Sequence, residues 1–384
     1  MINEKNMKLD LETKNLGCKL PSELAHLERF SMYAKLIKED VYAFFIPQFF
    51  EDGKPNLDWW EFRKSTIGSS EAATLTGHDE YGDPVKLFWS KVGMDFPFVN
   101  TKFTIIGLHL EEKISDLWEY FDGTDDGYVD NWHKGEKVRE KKDIPCYAVN
   151  INYPHISASL DFYVPAGQAS PFTGEIIDFD FPLEIKTVSQ FASDKYELGI
   201  PEKYVRQLQL QMFVFGATYA EIAYLVAGFD FKTLPVDLDV SICQEIIEKS
   251  YEFTEIVNQA RDLYDGYDLL PESEQREIDL QISKLEPEPS GNDAYMEFYK
   301  AKYKNSYEDT LRLGTEEEWD ICVEYKTLGD TIKELEKRKK ELQHKIKSFS
   351  ALDETISFEE NGRVINKRRE GKRDIFNVNI KNYK

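Results

Sequence analysis

The stretch Pro182-Leu183-Glu184-Ile185-Lys186-Thr187 decides how this chain reads. A carboxylate and a lysine stand two residues apart in an otherwise apolar run. Side chains alternate along a strand, so Glu184 and Lys186 share a face. Burying two charges side by side is costly unless something compensates. A divalent cation beside a water to be deprotonated is one such compensation. Spacing alone is weak evidence. Glu324-Tyr325-Lys326 and Asp230-Phe231-Lys232 match it too, and with 31% of residues charged most such pairs are solvated. Context separates them. Glu324 lies in a polar helical stretch, and Asp230 follows Gly228 at the end of an apolar strand. Only Glu184 has an apolar strand around it and a second carboxylate upstream at strand spacing.

That second carboxylate is Asp161, in Ile156-Ser157-Ala158-Ser159-Leu160-Asp161-Phe162-Tyr163-Val164. The segment is bounded by Pro154 and Pro165 and reads as a strand. A turn-rich stretch and a short acidic strand, Glu175 to Phe181, then lead to Glu184, so a meander can bring the two carboxylates together. Taken alone, Asp161 reads as a turn aspartate at a strand end.

A third carboxylate lies on a helix whose core stripe is Leu110, Ile114, Leu117 and Phe121. A helical residue turns by about 100 degrees, so Glu111 flanks that stripe and Glu112 faces solvent. Further on, Val205, Leu208, Met212 and Phe215 form one apolar stripe, and Tyr204, Gln207 and Gln211 a neighbouring one. No charged residue occurs from Gln207 to Ala220, so this helix is buried and its glutamines need partners. Gln207 either satisfies backbone groups or lines a site. Near the start, Ser69 or Ser70 reads as the N-cap of a helix running to about Leu75. Preceded by Arg63, such a start suits a phosphate; in isolation it is simply a helix start.

In order, Arg63 and Ser70, Gly107-x-x-x-Glu111, Ser159-x-Asp161, Glu184-x-Lys186 and Tyr204-x-x-Gln207-x-Gln209 resemble the YqaJ-like viral recombinase family. That family groups with the lambda-type alkaline exonucleases among the PD-(D/E)XK nucleases. The resemblance covers residues 55 to 230. It implies an α/β fold, with a mixed central β-sheet flanked by helices in a restriction-endonuclease-like core. It further implies that Glu111, Asp161, Glu184 and the Ile185 carbonyl bind Mg²⁺ or Mn²⁺. Lys186 and Gln207 would complete the catalytic set, and Arg63 and Ser70 would receive a 5′-terminal phosphate. The implied activity is 5′-to-3′ digestion of one strand at duplex DNA ends, leaving a 3′ overhang for a single-strand annealing protein. The implied assembly is a homotrimeric ring. Where the family often has Ser-Pro-Asp-Gly, this chain has Ser159-Leu160-Asp161-Phe162, and Asp178 and Asp180 stand nearby as competing ligands. A structure-specific or nicking endonuclease, and a catalytically silent DNA- or protein-binding relative, are the alternatives.

The 384 residues, 41% of them hydrophobic, suffice for one large domain with an appendage. Residues 1–25 read as a polar arm, 26–285 as the nuclease domain and 286–384 as a helical C-terminal extension ending in a small hairpin. Glu286-Pro287-Glu288-Pro289-Ser290-Gly291-Asn292 reads as the linker. Leu328, Leu335, Leu342 and Phe349 repeat every seven residues with Ile332 and Ile346 between them, and Lys339 interrupts the seam. That suggests a short coiled coil or a helical hairpin packed on the body. The four cysteines are scattered, which disfavours zinc and iron–sulfur sites. No long apolar run or signal peptide is present, so the expectation is a protein of the bacterial cytoplasm, from a phage or prophage, with no membrane contact. A net charge of -23 opposes DNA binding, except that Lys333 to Lys384 holds 15 basic against 9 acidic side chains.

Overall fold

In the computed structural model of the chain, the Glu184 run lies inside one continuous strand, Phe181–Val188. The structure describes residues 16–50, 52, 54–94, 102–190, 199–303, 313–350, 353–358, 362–367 and 375–380. They fall into two units, 1–304 and 305–384.

The first unit is built on a mixed five-stranded sheet. Its strands are Lys142–Asp143 (β1), Phe162–Val164 (β2), Phe181–Val188 (β3), Tyr219–Val226 (β4) and Asp230–Asp237 (β5), in spatial order β5-β4-β3-β2-β1. β3 and β4 run parallel, with Glu184 beside Ile222, and the other pairs are antiparallel. A parallel pair needs a crossover, and it contains the helix Glu202–Phe215. The helix Lys102–Trp118 (α1) lays Ile114 and Trp118 on the sheet in one core cluster with Leu183, Ile185 and Ile222. The crossover helix (α2) adds Leu208 and Met212 to that cluster. Its Leu210, Val214 and Phe215 enter a second cluster shared with Ile246, Phe253 and Val257 of the long helix Val240–Tyr264 (α3). The mixed sheet flanked by helices is therefore as the sequence leads one to expect.

Local departures have physical reasons. Trp118 replaces Phe121 as the deep anchor of α1, because the helix ends at Trp118. The segment read as one strand over 156–164 is broken: Ile156–Ser157 and Phe162–Val164 are strands, and Asp161 lies in the bend between them. Residues 1–15 of the expected polar arm lie outside the described residues. Leu20 and Leu24 are already core, since Leu20, Leu24, Leu27 and Phe30 form one apolar stripe packed under the antiparallel sheet Ala34–Lys38, Val41–Phe44 and Tyr147–Asn150. Glu286–Asn292 is fastened to the first unit rather than spanning a gap. Trp89 Nε1 donates to Glu286 Oε1 at 2.6 Å, Ser290 Oγ to Asp83 Oδ2 at 2.6 Å, and Asn292 Nδ2 to the Gly82 carbonyl at 2.5 Å. The helix Asp293–Lys302 then buries Phe298 in the core of the first unit.

In the second unit, Glu316–Phe349 (α4) is one uninterrupted helix with no buried residue, not a helical hairpin. The tail is a three-stranded antiparallel sheet, Thr355–Ser357, Gly362–Lys367 and Ile375–Ile380, one strand more than the expected hairpin. Among the described residues, no helix is long and apolar enough to cross a membrane.

One buried ion pair ties α1 to the sheet. Glu221 on β4 is fully buried and accepts from Arg139 Nη2 at 2.5 Å, Trp118 Nε1 at 2.9 Å and the Tyr219 hydroxyl at 3.0 Å. The Arg139 guanidinium lies 3.6 Å above the Trp118 ring. Removing one partner of such a pair strands the other charge without water. Glu221→Ala should lower the free energy of unfolding by about 3–5 kcal/mol, read from denaturant curves. A loss below about 1 kcal/mol would mean that the pair is no more than a solvated surface bridge.

Candidate active site

Glu184 is 1% exposed, and both its oxygens are occupied. Lys186 Nζ and Gln207 Nε2 donate to Oε1, the latter at 2.6 Å, and Gln211 Nε2 donates to Oε2 at 2.7 Å. Alternation on β3 puts Glu184 and Lys186 side by side, and the four-residue spacing on α2 aims Gln207 and Gln211 at the same carboxylate. Gln211 Nε2 also donates to the Ser159 carbonyl at 2.8 Å, which ties α2 to the segment before Asp161. Lys186 Nζ lies 5.2 Å from the centre of the Tyr204 ring. Gln211 is the member that the sequence reading left out of the site. Its signal was present, since it shares a helix face with Tyr204 and Gln207.

Asp161 reaches the cluster from the bend just before β2. Its Oδ2 accepts from the Ile185 backbone N–H at 2.8 Å, between the two residues of the Glu184–Lys186 pair. That bond holds Asp161 in its bend without the tight Pro-Asp-Gly turn. The competing aspartates are placed elsewhere: Asp180 Oδ1 accepts from Ala166 N at 2.8 Å, and Asp178 is exposed. Glu111 faces the cluster from α1. Burial raises its carboxyl pKa, Lys186 lowers it, and the charge of Glu184 raises it again. Burial likewise pushes Asp161 well above the usual range, helped by Glu184 and Glu111 and opposed by Lys186. Burial disfavours the charge on Lys186, but Glu184 and Asp161 outweigh it and hold the amine above its usual range.

Among the described residues, three carboxylates thus share a single lysine, and the charge is short of cation. In addition, the acceptor oxygen of the Gln211 amide, Oε1, is buried and has no partner among the described residues. Hard oxygen donors with excess negative charge fit a divalent cation such as Mg²⁺ or Mn²⁺. Among the described residues, no three His, Cys, Asp or Glu side chains are already gathered at metal-holding distance. Lys186, Gln207 and Gln211 take up the Glu184 oxygens instead.

Arg63 and Ser70 lie on a separate segment. Ile67–Gly68 pairs in parallel with Ile156–Ser157, which sets the segment beside the approach to Asp161. Arg63 donates to the Tyr147 hydroxyl at 3.2 Å and stacks 4.9 Å from the Trp59 ring. The helix start differs from the expected serine cap. Gly68 is the cap residue, its N–H donates to Glu71 Oε2 at 2.7 Å, and Lys91 Nζ closes on the same carboxylate oxygen at 2.7 Å. Ser70 is exposed, and the Ser69 hydroxyl is buried with no partner. No hydrogen bond or ion pair among the described residues joins Arg63 or Ser70 to the Glu184 cluster. The decoy pairs are separate too: Asp230 and Lys232 form a half-exposed bridge at 3.2 Å, and Glu324 lies on the exposed face of α4.

The profile of the YqaJ-like viral recombinase domain matches residues 58–220, which contain the whole cluster. Over these residues, which are under half of the chain, the chain is similar to a YqaJ-like viral recombinase domain. Among solved structures, the chain is similar to an alkaline exonuclease from Laribacter hongkongensis, with 13% identity and a TM-score of 0.39, over 55% of this chain and 96% of that one. It is also similar to a phage-related exonuclease from Haemophilus somnus 129PT, with 13% identity and a TM-score of 0.34, over 52% and 97% of the two chains. No curated protein matches it.

The raised carboxyl pKa values of Glu111 and Asp161 carry a sign. A group whose pKa is raised by folding stabilises the fold below its unfolded value, and that stability is lost as pH rises through the folded value. Asp161→Asn removes this loss and keeps an acceptor for Ile185 N–H. In chelator at pH 8 its thermal midpoint should lie above that of the parent by roughly 2–4 °C, the shift that about 1 kcal/mol produces in a domain this large. The gap should close as pH falls towards about 4. A midpoint below the parent's at pH 8 would mean that the Asp161 charge is stabilising, contrary to this electrostatic picture.

Proposed function

We propose that the chain is a divalent-metal-dependent deoxyribonuclease that digests one strand of duplex DNA from its 5′ end. The observation that carries the reading is the buried Glu184–Lys186 pair, with Asp161 bonded between its two residues and Glu111 alongside. Glu111, Asp161, Glu184 and the Ile185 carbonyl are the groups that would hold Mg²⁺ or Mn²⁺. When bound, the cation supplies Lewis-acid charge for the oxygens of the scissile phosphodiester.

The chain's own residues do the positioning. Gln207 and Gln211 fix the Glu184 carboxylate from the α2 side, so its orientation is set before substrate arrives. Lys186, held in its charged form, acts as a donor, fixing the attacking water or countering charge on a phosphate oxygen. The water oxygen bonds to phosphorus as the P–O3′ bond breaks, and a nucleoside 5′-phosphate leaves. Arg63, half-buried between Trp59 and Tyr147, and the exposed Ser70 would receive the 5′-terminal phosphate of the strand being shortened. The remaining 3′ overhang is the substrate of an annealing protein.

Incubation with Mg²⁺ and linear, nicked or covalently closed duplex tests the reading. Digestion should be confined to linear DNA, and Lys186→Ala should lower the rate on the order of 10³-fold while Glu324→Ala leaves it unchanged. Full activity of Lys186→Ala rejects the site, and cutting of closed circles rejects the end requirement. Ends bearing 5′-phosphate should react roughly ten- to a hundredfold faster than 5′-hydroxyl ends, and Arg63→Ala should erase that preference.

A further inference from the structure

Among the described residues, the apolar seam of the helix α4 is left uncovered within the second unit. Ile321, Tyr325, Leu328, Ile332, Leu335, Lys339, Leu342, Ile346 and Phe349 follow one another at spacings of four and three, over four heptads. The seam is open to solvent: Tyr325 is 82% exposed, Leu335 64% and Ile321 63%. A helix of 34 residues with none buried, and with Gly329 in its interior, gains little from propensity; such helices are stabilised by what packs on them. A strict 3.5-residue repeat is the signature of another helix with the same repeat, not of a flat surface.

Charge along the helix selects the occupant. Glu316 to Asp330 holds six acidic and one basic side chain, and Thr331 to Phe349 holds seven basic and three acidic. A second copy lying antiparallel sets the acidic half of each helix against the basic half of the other. A parallel copy would set like against like and place Lys339 opposite Lys339. In the antiparallel register that centres the seam, Ile321 meets Ile346 of the second copy, Tyr325 meets Leu342, Leu328 meets Lys339 and Ile332 meets Leu335. Glu324 and Lys345 then flank the seam as a pair, made twice by symmetry. Among the described residues neither has an ion-pair partner in its own chain, whereas Lys326, Lys333 and Arg338 do.

We infer that α4 is an antiparallel coiled-coil dimerisation element whose partner is α4 of a second copy of this chain. The basic run after Lys333 thereby has a protein ligand as well as any role on DNA. The contact is two-fold, so it is separate from any three-fold ring formed by the YqaJ-like domain.

The test uses the full chain, with mass read by sedimentation equilibrium. The expected mass is an even multiple of the chain mass. Ile332→Glu with Leu335→Glu should halve it, with activity per site in the YqaJ-like domain retained. Glu324→Lys and Lys345→Glu should each weaken association roughly tenfold, and the two together in one chain should restore it. Because the doubly reversed chain must fold to dimerise, rescue separates pairing from misfolding. In a Cys322→Ser background, Tyr325→Cys and Leu342→Cys chains should form an interchain disulfide when mixed, and neither should do so alone. An odd multiple of the chain mass, a mass unmoved by the Ile332/Leu335 change, absence of rescue, or an interchain disulfide formed by the Tyr325→Cys chain on its own would each overturn the proposal. None of these readouts depends on nuclease activity.

Discussion

Glu184 places a carboxyl group in the middle of a five-stranded sheet with almost no contact with solvent, and three side-chain donors converge on it. The arrangement around the site follows from satisfying that buried polar group. Gln207 and Gln211 lie one turn apart and must both face the sheet, which fixes the rotation of α2 about its axis. With that rotation set, Leu208 and Met212 fall into the core against the sheet, and Leu210, Val214 and Phe215 into the core shared with α3. Gln209, on the remaining side, accepts from Asp239 N–H at 2.7 Å and donates to the Asp237 carbonyl at 2.9 Å. It thereby pins the start of α3 to the end of β5.

The two faces of β3 and β4 divide the work. One carries Glu184 and Lys186 beneath the glutamines of α2. On the neighbouring strand, Glu221 is satisfied by Arg139, Trp118 and Tyr219, with no carboxylate left over. Both glutamates are deeply buried, and only their surroundings distinguish them. Around Glu221 a guanidinium and an indole close the account of charge. Around Glu184, among the described residues, one lysine faces three acids, and the excess remains.

The sheet, its crossover helix and the Glu184–Lys186 face were legible because they rest on local periodicity: alternation in 182–187 and the stripes of α2. Asp161 and Glu111 were legible only as members of an ordered set of motifs, since neither stands out in its own segment. Gln211 was visible as a stripe but not as a ligand of Glu184, because that contact is a distance between elements, which periodicity does not encode. The buried N-terminal stripe from Leu20 to Phe30 was obscured by the charged residues interspersed among its leucines. The Glu286–Asn292 segment misled for a specific reason. Proline and glycine punctuate loops whether those loops are free or fastened, and its anchors, Trp89 and Asp83, lie about two hundred residues away in sequence.

That fastening bears on how modules can be exchanged in this chain. Asp83 caps the helix Pro84–Val92 through Val85 N–H and Lys86 N–H, and the same carboxylate receives Ser290. Lys302 lies against the Trp89 ring, and Phe298 is core. A fusion joint at Glu286, where composition invites one, would strip these contacts from the first unit and open the indole of Trp89 to water. A joint beyond Tyr303 keeps them all. The natural grafting point for a different C-terminal module is therefore some eighteen residues later than the proline-rich punctuation suggests.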